Sequence, residues 1–366
     1  MKSDEARYGV MRRNGAWATL ALAGLILTTV LVPAMAEGAS ERNADAAPDG
    51  AIELDVGYMP ILPVAQSFVM EQEGWTAEAG LTFNMIRFQN GPAMVQAVAS
   101  GELDVMFFGI GPAMVARGRG EDIKVVAASI VEQIAFIAGG ELASAWDSAD
   151  PVASLRGFAA AGGRPVRIAT FPEGSVPHTV LLYWLSERLG IDTATRDEFV
   201  EIVPMGADQV QQALLAGQVD GASILEPTLT IVRELAPETR VLARAPEMFP
   251  GQPGAVLAVR ESVIRDHPEA VQRLVDLHVR ATEFLNTRPE ESARHALAYI
   301  GAGLVEVETL EAAITSPSTN YTADPREIVE PTRRMHDFQL AQGSLAQPVD
   351  LDALFESRFY EAAVAE

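Results

Sequence analysis

The segment Gln96-Ala-Val-Ala-Ser-Gly101-Glu-Leu-Asp104 returns in altered form as Gln212-Ala-Leu-Leu-Ala-Gly217-Gln-Val-Asp220. Each copy is an apolar helical stripe closed by a glycine suited to the left-handed position just past a helix C-terminus, and each runs directly into a short apolar strand. The first strand, Val105 to Phe108, leads into Gly109-Ile110-Gly111-Pro112, and the second, Ala222 to Leu225, leads into Glu226-Pro227. This spacing predicts two α/β units of one kind, each delivering a loop at the carboxyl end of a strand. In open α/β sheets that edge takes up ligands, so two such units predict two lobes whose loops face one cleft.

The rest of the chain fits that plan. With 366 residues, 48 % hydrophobic and 21 % charged, it is long enough for about two domains with their own cores. Ile52 to Tyr58 reads as a strand, Val64 to Ala79 as a helix closed by Gly80, Leu81 to Phe88 as a strand, and a helix follows from about Pro92. Strands alternating with helices predict an α/β fold with a largely parallel sheet. Glu141 to Arg164, rich in Ala, Ser and Gly, reads as a connection between lobes. Val166 to Thr170 re-enters as a strand, Phe249-Pro-Gly-Gln-Pro-Gly254 interrupts the pattern, and Ala255 to Val259 reads as a return strand. The remainder is almost wholly helical and is expected to pack on the first lobe. The expected division is 51–145 with 254–366 for lobe one and 146–253 for lobe two.

The N-terminus reads differently. Arg12 and Arg13 precede an apolar run from Ala16 to Val32, and Ala34-Met35-Ala36 supplies small residues where a signal peptidase cuts. Residues 1–36 are expected to be a cleaved signal peptide, and 37–50, small, polar and charged, a disordered lead-in. The product is expected in the periplasm, with no membrane insertion after cleavage. The formal net charge of -23 opposes partners carrying phosphate backbones or anionic headgroups, so no nucleic acid partner is expected. The chain has no cysteine, which excludes disulfides, thiol nucleophiles and thiolate metal sites.

Several loops carry candidate contacts. Met59 and Pro60, followed by Ile61 and Leu62, would give the cleft an apolar wall. Gln89 and Asn90 join a strand to a helix that Asn90 can cap or leave to donate its amide to a ligand. Gly109 and Ile110 follow the first repeated unit, and Met205 follows a strand of the second lobe. Gly174 and Ser175 open a helix expected from about Val176 to Leu189, with Ser175 as N-cap and Pro177 in the first turn. The amides and dipole at that end would suit an anionic head group. His178 in the same turn is either a ligand donor or a polar residue on the helix shoulder. With no nearby acid or nucleophile it supports no catalytic role, and no metal site is read from the other histidines.

The strand entering Gly57-Tyr58-Met59-Pro60, the doubled glycine-strand unit and Ala169-Thr-Phe-Pro-Glu-Gly-Ser-Val-Pro-His-Thr-Val-Leu-Leu182 together resemble the solute-binding proteins of ABC importers of the taurine, sulfonate and nitrate type, the NMT1/THI5-like group, over about residues 51–345. The resemblance implies a type II periplasmic binding fold, with two α/β lobes joined by two crossovers around a cleft. It also implies a monomer that binds a small-molecule ligand without changing it and without a cofactor, and that delivers it to an ABC permease with a cytoplasmic ATPase. It places the residue before Pro227 in the cleft. Glu226 there would suit a taurine-like zwitterion, its alternative being the first-turn acid of the next helix.

Overall fold

The computed structural model describes residues 51–301 and 305–365. The expected signal peptide and lead-in lie outside the described residues. Short runs rich in β-branched and aliphatic side chains form the strands β1 (Ile52–Tyr58), β2 (Leu81–Arg87), β3 (Val105–Gly109), β4 (Ile123–Ala128), β5 (Ile130–Val131) and β6 (Ala135–Ala138). Beyond them come β7 (Val166–Thr170), β8 (Val200–Pro204), β9 (Gly221–Ile224), β10 (Arg240–Arg244), β11 (Ala255–Arg260) and β12 (Asn320–Tyr321). The helices of two turns or more begin with α1 (Ala65–Gln72), α2 (Gly91–Ala99) and α3 (Ile110–Gly118), then α4 (Pro151–Gly162), α5 (Val176–Tyr183), α6 (Ala207–Leu215) and α7 (Thr228–Leu235). The C-terminal part adds α8 (Pro268–Thr287), α9 (Pro289–Ile300), α10 (Val307–Ile314) and α11 (Val329–Gln342).

Two five-stranded sheets carry these helices. Their orders are β2-β1-β3-β11-β4 and β8-β7-β9-β6-β10, and a two-stranded ribbon pairs β5 with β12. Position for position the two orders are one pattern: three parallel strands, then a strand antiparallel to both neighbours. That fourth strand differs in origin: the first sheet takes β11 from beyond the second lobe, and the second takes β6, the first strand of its own contiguous run.

The repeated sequence sits at matching points of this pattern. Gly101 and Gly217 hold positive φ of 80° and 63°, the left-handed conformation that lets a helix stop and its chain turn into a strand. Asp104 then binds the first strand of its lobe twice: its N–H donates to Asp55 O at 2.9 Å, and its Oδ2 accepts from Asp55 N at 3.0 Å. Asp220 does the same with Arg167, at 2.8 and 2.7 Å. The aspartate of each copy is therefore a clip between neighbouring strands.

The division into lobes departs from the sequence reading. Ala135–Ala138 pairs with both β9 and β10, so the chain enters the second lobe ahead of the expected 145/146 boundary. Glu141 to Arg164 is not a connection, because α4 lies in it and buries Leu155 and Ala159. Alanine is small and helix-favouring, and it gives a helix as readily as a linker.

The true crossovers, at 129–134 and 245–254, run side by side. Ser129 N–H donates to Ala255 O at 2.9 Å and Glu132 N–H to Gln252 O at 2.8 Å. The Gln252 side-chain Oε1 accepts from the backbone N–H of Gln133 at 2.9 Å and of Ile134 at 3.2 Å. One buried amide side chain thus satisfies two main-chain donors that would otherwise be costly to bury.

The C-terminal helices do pack on the first lobe, where α8 covers α1 and β4. His278 on α8 is fully buried and donates from Nε2 to Ala128 O at 2.6 Å; burial depresses its pKa to about 4. The same region also grips the second lobe. Thr309 on α10 donates to Glu234 Oε2 at 2.6 Å, and Gln339 on α11 donates from Nε2 to Thr179 Oγ1 at 2.8 Å. The expectation of a tail confined to lobe one is incomplete for that reason.

Candidate functional site

The carboxyl ends of β1, β3, β7 and β9 point into the space between the lobes and enclose a cavity of about 20 Å³, room for about one water molecule. The first lobe contributes Met59, Ile61, Gly91, Gly109 and Pro112 to its wall, and the second contributes Phe171, Ser175, Val176, Pro177 and Leu225. Gln133, on the first crossover, and Ala255, the first residue of β11 just past the second, complete it. Two wider crevices flank the cavity, one sharing Pro112 and the other Ile61 with its wall. One, of about 380 Å³, is bordered by Arg119, Glu173 and Gly174; the other, of about 230 Å³, by Pro60, Asp208 and Thr228.

The lobes are closed on each other. A Cβ added to Gly109 would stand 2.9 Å from Val176 Cγ2. Leu62 N–H donates to Glu226 O at 3.4 Å, and Arg87 reaches Asp208 at 3.9 Å across the mouth.

No ionisable side chain lines the cavity. Glu226 is buried, but its carboxylate turns back on its own helix: Oε2 accepts from Thr230 N and Oε1 from Thr230 Oγ1, both at 3.0 Å, and Ser316 adds a further bond. Burial pushes its pKa up, opposed by those bonds. His178 is half-buried, with its pKa lowered chiefly by burial, and its nearest charges are Glu173 and Arg196.

Of the residues expected at the site, Met59, Gly109 and Ser175 line the cavity, and Pro60 and Gly174 line the flanking crevices. Asn90 caps α2 by accepting from Ala93 N at 2.9 Å, and Ser175 caps α5 by accepting from His178 N at 3.4 Å. Gln89 is exposed beside Gly206, Met205 is half-buried with its N–H on Thr170 O, and Ile110 is buried with its N–H on Gly254 O. Those three, His178 and Glu226 do not line the cavity.

Ile61, read from the sequence as apolar wall, is in the wall, and several wall residues that the sequence reading passed over stand next to ones it named, such as Gly91, Val176 and Leu225. Gln133 and Ala255 had no such neighbour, because nothing local marks a crossover as part of a binding wall.

Solved structures share this architecture. The alkanesulfonate-binding protein SsuA of Xanthomonas axonopodis pv. citri, bound to MOPS, superposes with a TM-score of 0.68 at 19 % identity, covering 83 % of this chain and 98 % of that one. The periplasmic nitrate-binding protein NrtA of Synechocystis PCC 6803 gives 0.71 at 13 %, covering 86 % and 89 %. The desulfurization enzyme DSZB gives 0.56 at 16 %, covering 86 % and 99 %. These likenesses establish the fold as the type II periplasmic binding protein fold.

A Brucella abortus (strain 2308) protein, described only as a provisional binding protein, is 25 % identical over 306 residues, covering 80 % of this chain and 86 % of its own. A model of the NMT1-like family matches residues 47–301, the greater part of the chain, and the protein therefore belongs to the NMT1-like family.

Proposed function

We propose that the protein is the extracytoplasmic solute-binding component of an ABC importer. It takes a small organic solute between its lobes, closes on it, and hands it to a permease driven by a cytoplasmic ATPase. The observation that carries this reading is a cavity walled by both lobes, with Gln133 of one crossover and Ala255 at the end of the other in its wall. A solute that touches both walls stabilises the closed arrangement over the open one, and closure of this kind is a hinge motion about the crossovers.

The wall supports capture over catalysis. Ser175 carries its one hydroxyl, and that oxygen accepts from His178 N–H as a helix cap. No acid, base or thiol lines the cavity with it to activate a nucleophile. Delivery to the periplasm by the N-terminal segment completes the reading. Among the described residues no helix is long and apolar enough to cross a membrane.

A thermal-shift screen over a library of small solutes, with mass spectrometry of the recovered ligand, tests it. At least one solute should raise the melting temperature by linkage and be recovered unchanged. A protein that no solute stabilises at millimolar concentration, or one that consumes whatever stabilises it, overturns the reading.

A further inference from the structure

We propose that residues 305–342 are a strap, fixed to the first lobe at both ends and bonded to the second in between, and that this strap holds the lobes closed more than any direct contact between them does. It acts with or without a solute; its effect on affinity rests on the solute-capture reading above.

The chain on either side of the strap belongs to lobe one. Ahead of it, α9 lies against α1. Behind it, the Gln347 side chain donates to Gly118 O at the end of α3, and Glu356 N–H donates to Val125 O of β4 at 2.9 Å. Between these anchors the strap reaches lobe two at two places. Near α10, Thr309 Oγ1 donates to Glu234 Oε2 at 2.6 Å and Arg244 donates to Ser318 Oγ at 3.0 Å. On α11, Gln339 Nε2 donates to Thr179 Oγ1 at 2.8 Å, and the Phe338 ring meets Tyr183 edge-on with centroids 5.2 Å apart. The strap also touches both crossovers, where β12 pairs with β5 and Arg334 donates to Pro250 O at 2.7 Å.

Bond lengths and burial rank these contacts. Among the described residues, the polar contacts that run straight from lobe to lobe are Leu62 N–H to Glu226 O at 3.4 Å and Arg87 to Asp208 at 3.9 Å. The first is long for a hydrogen bond, and an exposed ion pair of the second length contributes little. The strap's bonds are of ordinary length, and Gln339 and Thr179 are both buried. A Cβ added to Gly111 would stand 3.2 Å from Gln339 Nε2 and 3.5 Å from the Ser175 carbonyl carbon, so Gln339 fills the corner where lobe meets lobe. A solute that binds the closed form gains from a strap that populates it, and loosening the strap weakens every solute alike, whatever its chemistry.

The distance between the lobes tests this without any solute. The chain has no cysteine, so Ser100→Cys and Ala216→Cys place two spin labels at exposed, corresponding points of the repeated sequence, one in each lobe and neither in the strap. Double electron–electron resonance on this background should give one dominant distance. Thr179→Val leaves the Gln339 amide N–H buried without its acceptor in the closed form, whereas water reaches it in the open one. It should therefore raise the population of a second distance about tenfold relative to the first. Adding Thr309→Val should raise it further. A cooperative urea transition, measured alongside, separates opened lobes from unfolded ones. Should Thr179→Val not fold, Phe338→Ala takes its place and is read in the same way.

A folded variant whose distances match the background overturns the proposal. So does a background already divided evenly between two distances, since the intact strap would then not be holding the lobes. Either result leaves solute capture standing, which the thermal-shift screen decides separately.

Discussion

The Cβ that Gly111 lacks would stand 2.6 Å from the carbonyl oxygen of Gly174 in the opposite lobe. A backbone oxygen cannot rotate away as a side chain can, so an added methyl would wedge the lobes apart. Gly111 lies inside α3, where alanine is the better helix former, so the lobe itself does not suffer. Gly111→Ala should keep its melting temperature, enlarge the radius of gyration in small-angle scattering, and lose about tenfold or more in solute affinity. An unchanged affinity would mean that closure at this point does not matter to binding.

Glu226 belongs to the stability of the second lobe. Removing its carboxylate in Glu226→Ala leaves Thr230 N–H buried without its acceptor, at a cost of about 1 to 3 kcal/mol in urea denaturation. Solute affinity should change by less than about threefold, since no interaction with the cavity is lost. A selective loss of affinity for cationic ligands would return this carboxylate to the cleft.

The crossover pair depends on one side chain. Gln252→Leu orphans the N–H groups of Gln133 and Ile134 together, and should lower the unfolding free energy by about 2 kcal/mol or more. It should also weaken solute binding, because Gln133 loses the bond that fixes it against the cavity. A variant of unchanged stability would show that water reaches these amides in the folded protein.

His278 gives a pH dependence with a definite sign. Its folded pKa of about 4 lies below the ordinary 6.5, so the unfolded chain takes up the proton first. The stability that neutral His278 contributes is complete above pH 6.5 and is lost as the pH falls towards 4, in all about 3 kcal/mol. His278→Gln can keep a donor for Ala128 O without titrating. Its stability, measured by denaturant titration from pH 7 to 4, should fall less steeply than that of the wild type by close to one proton. Parallel curves would assign the acid sensitivity elsewhere.

How far the fold could be read beforehand depended on how local its causes are. The stop at Gly101 and Gly217, the caps at Asn90 and Ser175 and the loops at Met59 and Gly109 are written in a few consecutive residues, because a left-handed turn or a capped amide is settled within one turn of chain. The place of Ala135–Ala138 is not. Four apolar residues fit either sheet, and only pairing with β9 and β10, whose residues come far later, decides. Glu226 shows a second limit: an acid at the head of a helix looks the same in sequence whether it faces a ligand or its own first turn. Gln133 shows a third, since its importance comes from packing against a loop more than a hundred residues away.

The return of β11 to the first sheet also orders events in time. While the chain is being made, the first lobe can assemble β2, β1 and β3, but β4 has no neighbour until Ala255–Arg260 has appeared to sit between them. The first lobe cannot be completed from a contiguous stretch of polypeptide, whereas the second sheet runs unbroken from Ala135 to Arg244. A nascent chain thus keeps an unfinished first sheet until Ala255–Arg260 has been made. It also means that severing the chain at the first crossover would leave β11, a strand of the first sheet, on the fragment that carries the whole second sheet.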